Sequence, residues 1–312
     1  MDFRNPSNQA PIIIGIDHGY GNIKTAHTCF KTGVTAYDKE PTFKNNLLHF
    51  EEKYYQIGEE HKEFTSDKML DKDYYILTLA AIARELNIRK ISSAAVHLAA
   101  GLPLTWVSEQ KEDFKKYLLQ NEIAEFSFRG IDYLVSFTDA DIFPQGFSAV
   151  AERLNDFTGT NMLADIGNGT MNIMYINERR PLEKKCFTEK FGVNQCMLSI
   201  RETLMRRFGK SVDDATIERV IRFGKADISE RYSEAIRDAA VEYVHGSFRR
   251  LREREYDPEL MRLFIVGGGG CMIRNFGAYA SDRVIIIDDI CATAKGYEML
   301  ARRKLAKNGG IV

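Results

Sequence analysis

Two five-residue runs in the chain share one spelling, Asp-x-Gly-x-Gly: Asp17-His18-Gly19-Tyr20-Gly21 and Asp165-Ile166-Gly167-Asn168-Gly169. Each follows a short apolar run that reads as a strand, Ile12–Ile16 before the first and Asn161–Ala164 before the second. Each is followed by a segment suited to a returning strand, Ile23–Cys29 and Met171–Ile176. At a glycine frequency of about 7 %, one such pattern is expected by chance roughly 0.1 times in a chain this long, so a second copy is not an accident. The same strand–turn–strand hairpin used twice constrains the chain to two related halves. Glycines in such turns permit positive φ and leave backbone N–H groups bare, as a loop wrapped around a phosphate requires. An Asp closing the first strand can hold a hydrated Mg²⁺ beside those phosphates.

The rest of the chain alternates strands and helices. Strands are expected at Leu47–Phe50, Tyr54–Ile57, Ala94–Ala100, Lys184–Phe187, Leu263–Val266 and Val284–Ile287, with a hairpin of Phe126–Phe128 and Ile131–Phe137 around Arg129-Gly130. Helices are expected at Tyr75–Leu86, Ser108–Gln120 with Ser108 as its cap, Phe147–Leu154, Val193–Phe208 stopped by Gly209, Asp213–Phe223, Ser229–Arg254 and Ala292–Lys307. The polar run Lys62–Asp73 reads as a surface loop, and Arg249–Glu255 as a solvated helix end. No Pro/Gly/Ser linker separates the halves.

Composition removes several function classes. A formal net charge of −1 over 312 residues gives no field to draw the protein to nucleic acid or anionic lipid, so direct DNA binding is disfavoured. No apolar run approaches the 18 or so residues that span a bilayer, and Met1–Gln9 is polar with no signal-peptide core. Direct membrane binding is therefore not expected, and the location expected is cytoplasmic. Five cysteines without CxxC spacing fit reduced thiols, and six dispersed histidines fit structural roles rather than a metal site.

Three further features carry chemistry. Lys24, seven residues after Asp17, can reach a β- or γ-phosphate from the second arm of the first hairpin. Gly267-Gly268-Gly269-Gly270, between a buried strand and a helix, lets a base or phosphate approach the backbone. Gln145, in Phe143-Pro144-Gln145-Gly146 at a helix start, can orient a water for in-line attack on a γ-phosphate. No GxxxxGK[ST], HExxH or GxSxG motif occurs.

In this order, the motifs resemble those of the actin and Hsp70-like ATPase superfamily. Asp17–Lys24 is similar to its first phosphate loop and Phe143–Gly146 to its first connecting segment. Asp165–Thr170 is similar to the second phosphate loop, Ile265–Gly270 to the adenosine loop and Asp289–Leu300 to the second connecting helix. The short length and the small region from Thr32 to Lys90 resemble the plasmid-segregation actins of the ParM/StbA type. The resemblance implies an α/β actin-like fold: two related domains, each a mixed sheet flanked by helices, with a nucleotide cleft between them. Domain I would comprise residues 1–160 with an inserted subdomain at about 32–90 and the last helix, 290–312. Domain II would comprise 161–289. ATP or GTP and Mg²⁺ would be the cofactors. Asp17 and Asp165 would hold the metal through water, and Gln145 would place the lytic water. Gly19, Tyr20, Gly21, Asn22, Lys24, Gly167, Asn168, Gly169 and Thr170 would contact phosphates. Glu218 would bind the ribose, and Gly267, Gly268, Gly269 and Gly270 would border the base. The implied function is a nucleotide-dependent filament whose partners are further copies of itself and a DNA-binding adaptor at a plasmid centromere.

One departure stands out: Asn172 occupies the place where eukaryotic actin has a histidine that orders water. The alternatives are a cell-shape actin of the MreB type, which is expected to bring an amphipathic anchor or apolar loop, and a small sugar kinase, which needs a substrate pocket and an Asp base. An Hsp70-like chaperone would require a substrate-binding domain after the final helix.

Overall fold

The computed structural model describes residues 10–58 and 72–307. Met1–Gln9 and the expected loop at Lys62–Asp73, up to residue 71, lie outside the described residues; Asp73 itself opens a helix. The chain divides into two compact units, Met1–Glu152 with Cys291–Val312, and Arg153–Ile290.

In the first unit, β1 (Ile12–His18) turns back into β2 (Asn22–Lys24) and β3 (Cys29–Lys31). A small excursion follows: β4 (Val34–Tyr37), β5 (Leu47–Phe50) and β6 (Lys53–Ile57). Then come α1 (Asp73–Ile88), β7 (Ser93–Leu102), α2 (Leu104–Leu118) and the hairpin of β8 (Ile123–Phe128) with β9 (Ile131–Pro144). These nine strands form one sheet, in the order β3-β2-β1-β7-β9-β8-β5-β6-β4. β1, β7 and β9 run parallel. Parallel neighbours need crossovers, which α1 and α2 provide.

Alternation along β1 explains the layers. Ile14 and Ile16 join the core that α1 covers, where twelve α1 residues are buried. Ile13 points the other way and packs with Ala99, Tyr297 and Ala301 of β7 and α7 (Ala292–Lys307). Gly15, two residues on from Ile13, lets α7 come close: a Cβ there would lie 2.1 Å from the Ala294 carbonyl oxygen.

The second unit contains β10 (Thr160–Ile166), β11 (Met171–Asn177), β12 (Arg180–Glu189), α3 (Val193–Phe208), α4 (Asp214–Phe223), α5 (Glu230–Glu253), β13 (Arg262–Val266), α6 (Gly270–Phe276) and β14 (Val284–Ile286). Its sheet order is β12-β11-β10-β13-β14, with β10, β13 and β14 parallel. The first unit begins its sheet in the same way, β3-β2-β1-β7-β9, so the two units share a five-strand plan. Apolar faces of α3, α4, α5 and α6 bury the second core against β10, β11 and β13. No helix among the described residues is long and apolar enough to cross a membrane.

Three local expectations need correction. The helix expected to start at Ser108 starts at Leu104, with Pro103 (φ −48°) at its entry. Proline lacks the N–H that a helix start leaves without a partner, so the chain enters the helix there and Ser108 falls inside it. The arm expected over Ile23–Cys29 is two short strands. It breaks at a turn where Thr25 N–H donates to the Thr28 carbonyl (2.9 Å), because buried Glu85 takes the Thr25 hydroxyl (2.5 Å). The segment from Phe147 is a 3-10 helix reaching Asp156.

Candidate functional site

The two Asp-x-Gly-x-Gly runs fold into hairpins of one register. In β1–β2, Asp17 faces Lys24 and His18 faces Ile23. In β10–β11, Asp165 faces Asn172 and Ile166 faces Met171. In both, the Asp pairs with the residue seven positions later and four residues form the loop, 19–22 and 167–170. Asn172 is therefore the counterpart of Lys24. It carries no charge, and its side-chain oxygen accepts from the Thr188 hydroxyl (2.9 Å).

In the first unit the hairpin opens at the carboxyl ends of parallel strands β1, β7 and β9, where open α/β sheets bind their ligands. β9 ends at Pro144, so Gln145 leaves the sheet beside β7, its N–H donating to the Leu102 carbonyl (2.8 Å). The Gln145 side chain then donates through Nε2 to Asp17 Oδ1 (2.9 Å), across 128 residues of sequence. Lys24 Nζ lies 3.3 Å from Asp17 Oδ2. Asp17 is only 3 % exposed, so one buried carboxylate gathers the glutamine and the lysine. The loop is held from behind: Thr32 donates its hydroxyl to the Tyr20 carbonyl (2.7 Å) and its N–H to Gly21 (3.3 Å). Tyr20 is buried, which raises its phenol above the usual range.

In the second unit Asp165 faces Val266 across β10–β13, and the glycine run starts at the next residue. Gly267 has φ +86°, and a Cβ there would sit 2.6 Å from Asp165 Oδ1. Gly269 donates its N–H to the Ile166 carbonyl (2.9 Å). From the other side, Val193 and Asn194 at the start of α3 donate to the carbonyls of Gly167 (3.0 Å) and Asn168 (2.8 Å). Gly167 N–H closes the loop onto the Thr170 carbonyl (2.9 Å). The N–H groups of Asn168, Gly169 and Thr170 have no acceptor among the described residues. The second unit thus brings together Asp165, the hairpin loop and the glycine run.

Some expectations shift. Gly19, Gly21, Gly167 and Gly169 are not the glycines with positive φ; those near the sites are Gly146 (+79°) and Gly267 (+86°). Gly19 is required instead by close approach, since a Cβ would lie 2.7 Å from the Asn22 carbonyl oxygen. Glu218 is on α4, one helix away from the glycine run, and lies 4.0 Å from Arg222. α4 is tied to α6 by Asn275, whose Nδ2 donates to the Ile221 and Arg222 carbonyls (both 2.8 Å). Gly270 is already the first residue of α6, and its Cβ would meet Ile286. Sequence reasoning passed over Gly192, where a Cβ would lie 2.4 Å from the Asn168 carbonyl oxygen. A glycine just before the α3 pattern was the available signal. Thr32 and Glu85, which brace the first hairpin, gave no local signal.

No cluster of three or more His, Cys, Asp or Glu side chains that could enclose a metal occurs among the described residues. A hydrated Mg²⁺ does not need one: it keeps most of its waters and takes one or two carboxylates plus phosphate oxygens. Asp17 and Asp165, each a buried carboxylate at the root of a hairpin, have the chemistry for that role.

Together, paired hairpins in two units of common strand plan define an α/β protein with the actin-like fold. Residues 15–147 match the family described as "Actin like proteins N terminal domain". Among solved structures, the chain is similar to Ta0583, an archaeal actin homolog, in native form (TM-score 0.74) and in complex with ADP (TM-score 0.70). Each is 20 % identical and the match covers 94 % of this chain and 99 % of that one. It is similar to ParM of Bacillus thuringiensis with ATP (TM-score 0.72, 14 % identity, 96 % and 100 % covered). A 15-stranded ParM filament from Clostridium botulinum is likewise similar (TM-score 0.70, 17 % identity, 95 % and 100 % covered). No curated protein matches the sequence significantly.

Proposed function

We propose that the chain binds ATP or GTP with Mg²⁺, hydrolyses it, and assembles with copies of itself into filaments that segregate plasmid DNA through a DNA-binding adaptor, in the cytoplasm. The observation that carries the proposal is the Gln145–Asp17–Lys24 contact at the carboxyl ends of β1, β7 and β9. The similar proteins seen with ADP, with ATP and as a filament support it.

In this reading each unit offers one hairpin to the phosphates. The bare N–H groups of Asn168, Gly169 and Thr170 donate to phosphate oxygens, each charge-assisted bond contributing about 1.5–3 kcal/mol. Lys24 adds a positive charge, and Gly268 leaves room at the base. Gln145 uses Nε2 on Asp17, which leaves Oε1 to accept a hydrogen bond from water and fix its line of attack. Asp17 and Asp165 would hold a hydrated Mg²⁺ through its waters, and the metal would supply positive charge beside the phosphates. With Asn172 in place of a second lysine, the second hairpin binds through its backbone alone.

The test is phosphate release by purified protein with ATP or GTP and Mg²⁺. Gln145→Ala and Asp165→Ala should each slow release at least tenfold and leave binding of a fluorescent nucleotide largely intact. Wild-type release from Gln145→Ala would remove its assigned role. Phosphorylation of a small sugar in the same assay would move the protein to kinase chemistry.

A further inference from the structure

A polar cavity lies in the first unit, far along the sheet from Gln145. It has a volume of about 800 Å³ and is lined by the loop before β5, by β5 and β6, and by the β8–β9 turn. At its wall Asn46 sits in the left-handed region (φ 56°), a conformation asparagine tolerates. One atom of Asn46, Oδ1, accepts from two arginines: Arg84 Nη2 at 3.1 Å and Arg129 Nε at 2.8 Å, with Arg129 Nη2 also on it. Two positive guanidinium groups therefore converge on one neutral oxygen.

Neither arginine has a carboxylate within ion-pair distance among the described residues. Arg84 is held between the Phe30 and Phe128 rings, 4.4 and 5.3 Å from their centroids, and its buried Nε makes no hydrogen bond. Arg129 lies over the other side of the same cluster, 5.5 Å from Phe128. Burial, then the charge of Arg129, lowers the Arg84 guanidinium to about 10. The one acid lining the cavity, Glu40, is already paired with Lys44 at 2.6 Å. Buried or clustered like charges are costly without a counter-ion, and among the described residues the site is one anion short.

The shape and surroundings of the site say what kind of anion it takes. A small-molecule pocket is mostly apolar and encloses its ligand. This one is polar, and Lys44 and Arg129 at its mouth are exposed. Phe43, between the lining residues Glu40 and Lys44, is 80 % exposed. An exposed aromatic in the segment that lines an arginine-bearing cavity suits a protein-binding surface, and the planar guanidinium matches a carboxylate with two parallel bonds. We propose that the cavity beside Asn46 is a docking site for an acidic polypeptide segment of a partner protein, its carboxylate gripped by Arg129 and its apolar neighbour resting on Phe43.

Fluorescence anisotropy with a labelled Glu-Glu-Leu-Glu-Glu peptide at low salt tests this on the full chain. Wild type should bind saturably, and binding should weaken as salt rises. Arg129→Ala should weaken it at least tenfold and Phe43→Ala about threefold. The near-isosteric Asn46→Asp supplies a built-in carboxylate to both arginines. It should raise the melting temperature and abolish peptide binding, while nucleotide turnover stays at the wild-type rate. No saturable binding by wild type, or equal binding by Arg129→Ala, overturns the proposal. So does an Asn46→Asp protein that melts lower, because the missing anion would then be no deficit. Competition by inorganic phosphate as effective as by unlabelled peptide would make this a general anion site and would also overturn it.

Discussion

Gly268 and Gly269 are neighbours with opposite constraints. A Cβ on Gly268 meets nothing within 4 Å, whereas one on Gly269 would lie 2.2 Å from Ile166 Cγ2. Gly268→Val should therefore leave the melting temperature nearly unchanged yet, on the proposed function, block binding of a fluorescent nucleotide, because its branched side chain would fill the space assigned there to the base. Gly269→Ala should lower stability before it affects binding. Normal affinity in folded Gly268→Val would reduce the glycine run to a turn. A different residue governs acid stability. Asp141 is 4 % exposed and contacts His97 Nε2 at 3.0 Å, with Lys304 also on it. Burial alone would raise its carboxyl, but hydrogen bonds from His97 and Lys304 outweigh that and hold it at about 2. The unfolded value is about 3.9. A carboxyl depressed on folding stabilises the protein above its unfolded value, and that contribution is lost as pH falls from about 4 through about 2. Asp141→Asn should cost about 1–3 kcal/mol at neutral pH, since it removes the charged acceptor of buried His97 and of the exposed Lys304. Denaturant titrations across pH should show the gap to wild type narrowing between pH 4 and 2; a constant gap would deny the assignment.

At the scale of elements, α7 lies against β1 and β7 through glycines. A Cβ on Gly15 would lie 2.1 Å from the Ala294 carbonyl oxygen, one on Gly101 2.0 Å from the Tyr297 hydroxyl, and one on Gly296 1.8 Å from the Ser148 carbonyl oxygen. Backbone cannot swing aside as a side chain can. Gly15→Ala should thus push α7 off β1, weaken the Gly15 N–H bond to Glu298 (3.1 Å) and cost about 1–3 kcal/mol or more. Thermal melting checks this against Gly268→Ala, which should be nearly neutral. Elements with strong local signals were legible in the sequence. α3 ends at Phe208 because Gly209 takes φ +62°, and α7 spans Ala292–Lys307 as its pattern indicates. Elements set by distant partners were not. β2 stops at Lys24 because Glu85, sixty residues from Thr25, takes that hydroxyl. β4 escaped notice because its residues Val34–Tyr37 are mostly exposed and show no alternation. The candidate site divides the same way. The Asp-x-Gly-x-Gly spelling revealed both hairpins, while Thr32 and Gly192, which lock their loops, act through contacts that no spacing announces.

For the whole molecule, the five-strand plan shared by the two units has a consequence for assembly. Each unit ends its first parallel strand in a hairpin of identical register, and in the proposed function both hairpins take phosphates of one nucleotide. On that proposal, loss of the γ-phosphate would remove a ligand from both hairpins, and the assembly state is expected to follow the phosphate count. A contact between unlike surfaces of identical copies does not close on itself and propagates as a filament. Purified protein should scatter light above a critical concentration once ATP or GTP and Mg²⁺ are added, and should pellet on ultracentrifugation. The signal should decay as nucleotide is hydrolysed. In Gln145→Ala the plateau should be at least as high and the decay delayed about in proportion to its slower phosphate release, because the mutation leaves binding and self-contact untouched. Scattering and phosphate release recorded together check the coupling. Equal decay in both proteins despite slow release by the mutant would separate assembly from hydrolysis. Protein that stays monomeric with either nucleotide at tens of micromolar would leave the actin-like fold standing and remove the filament from its function.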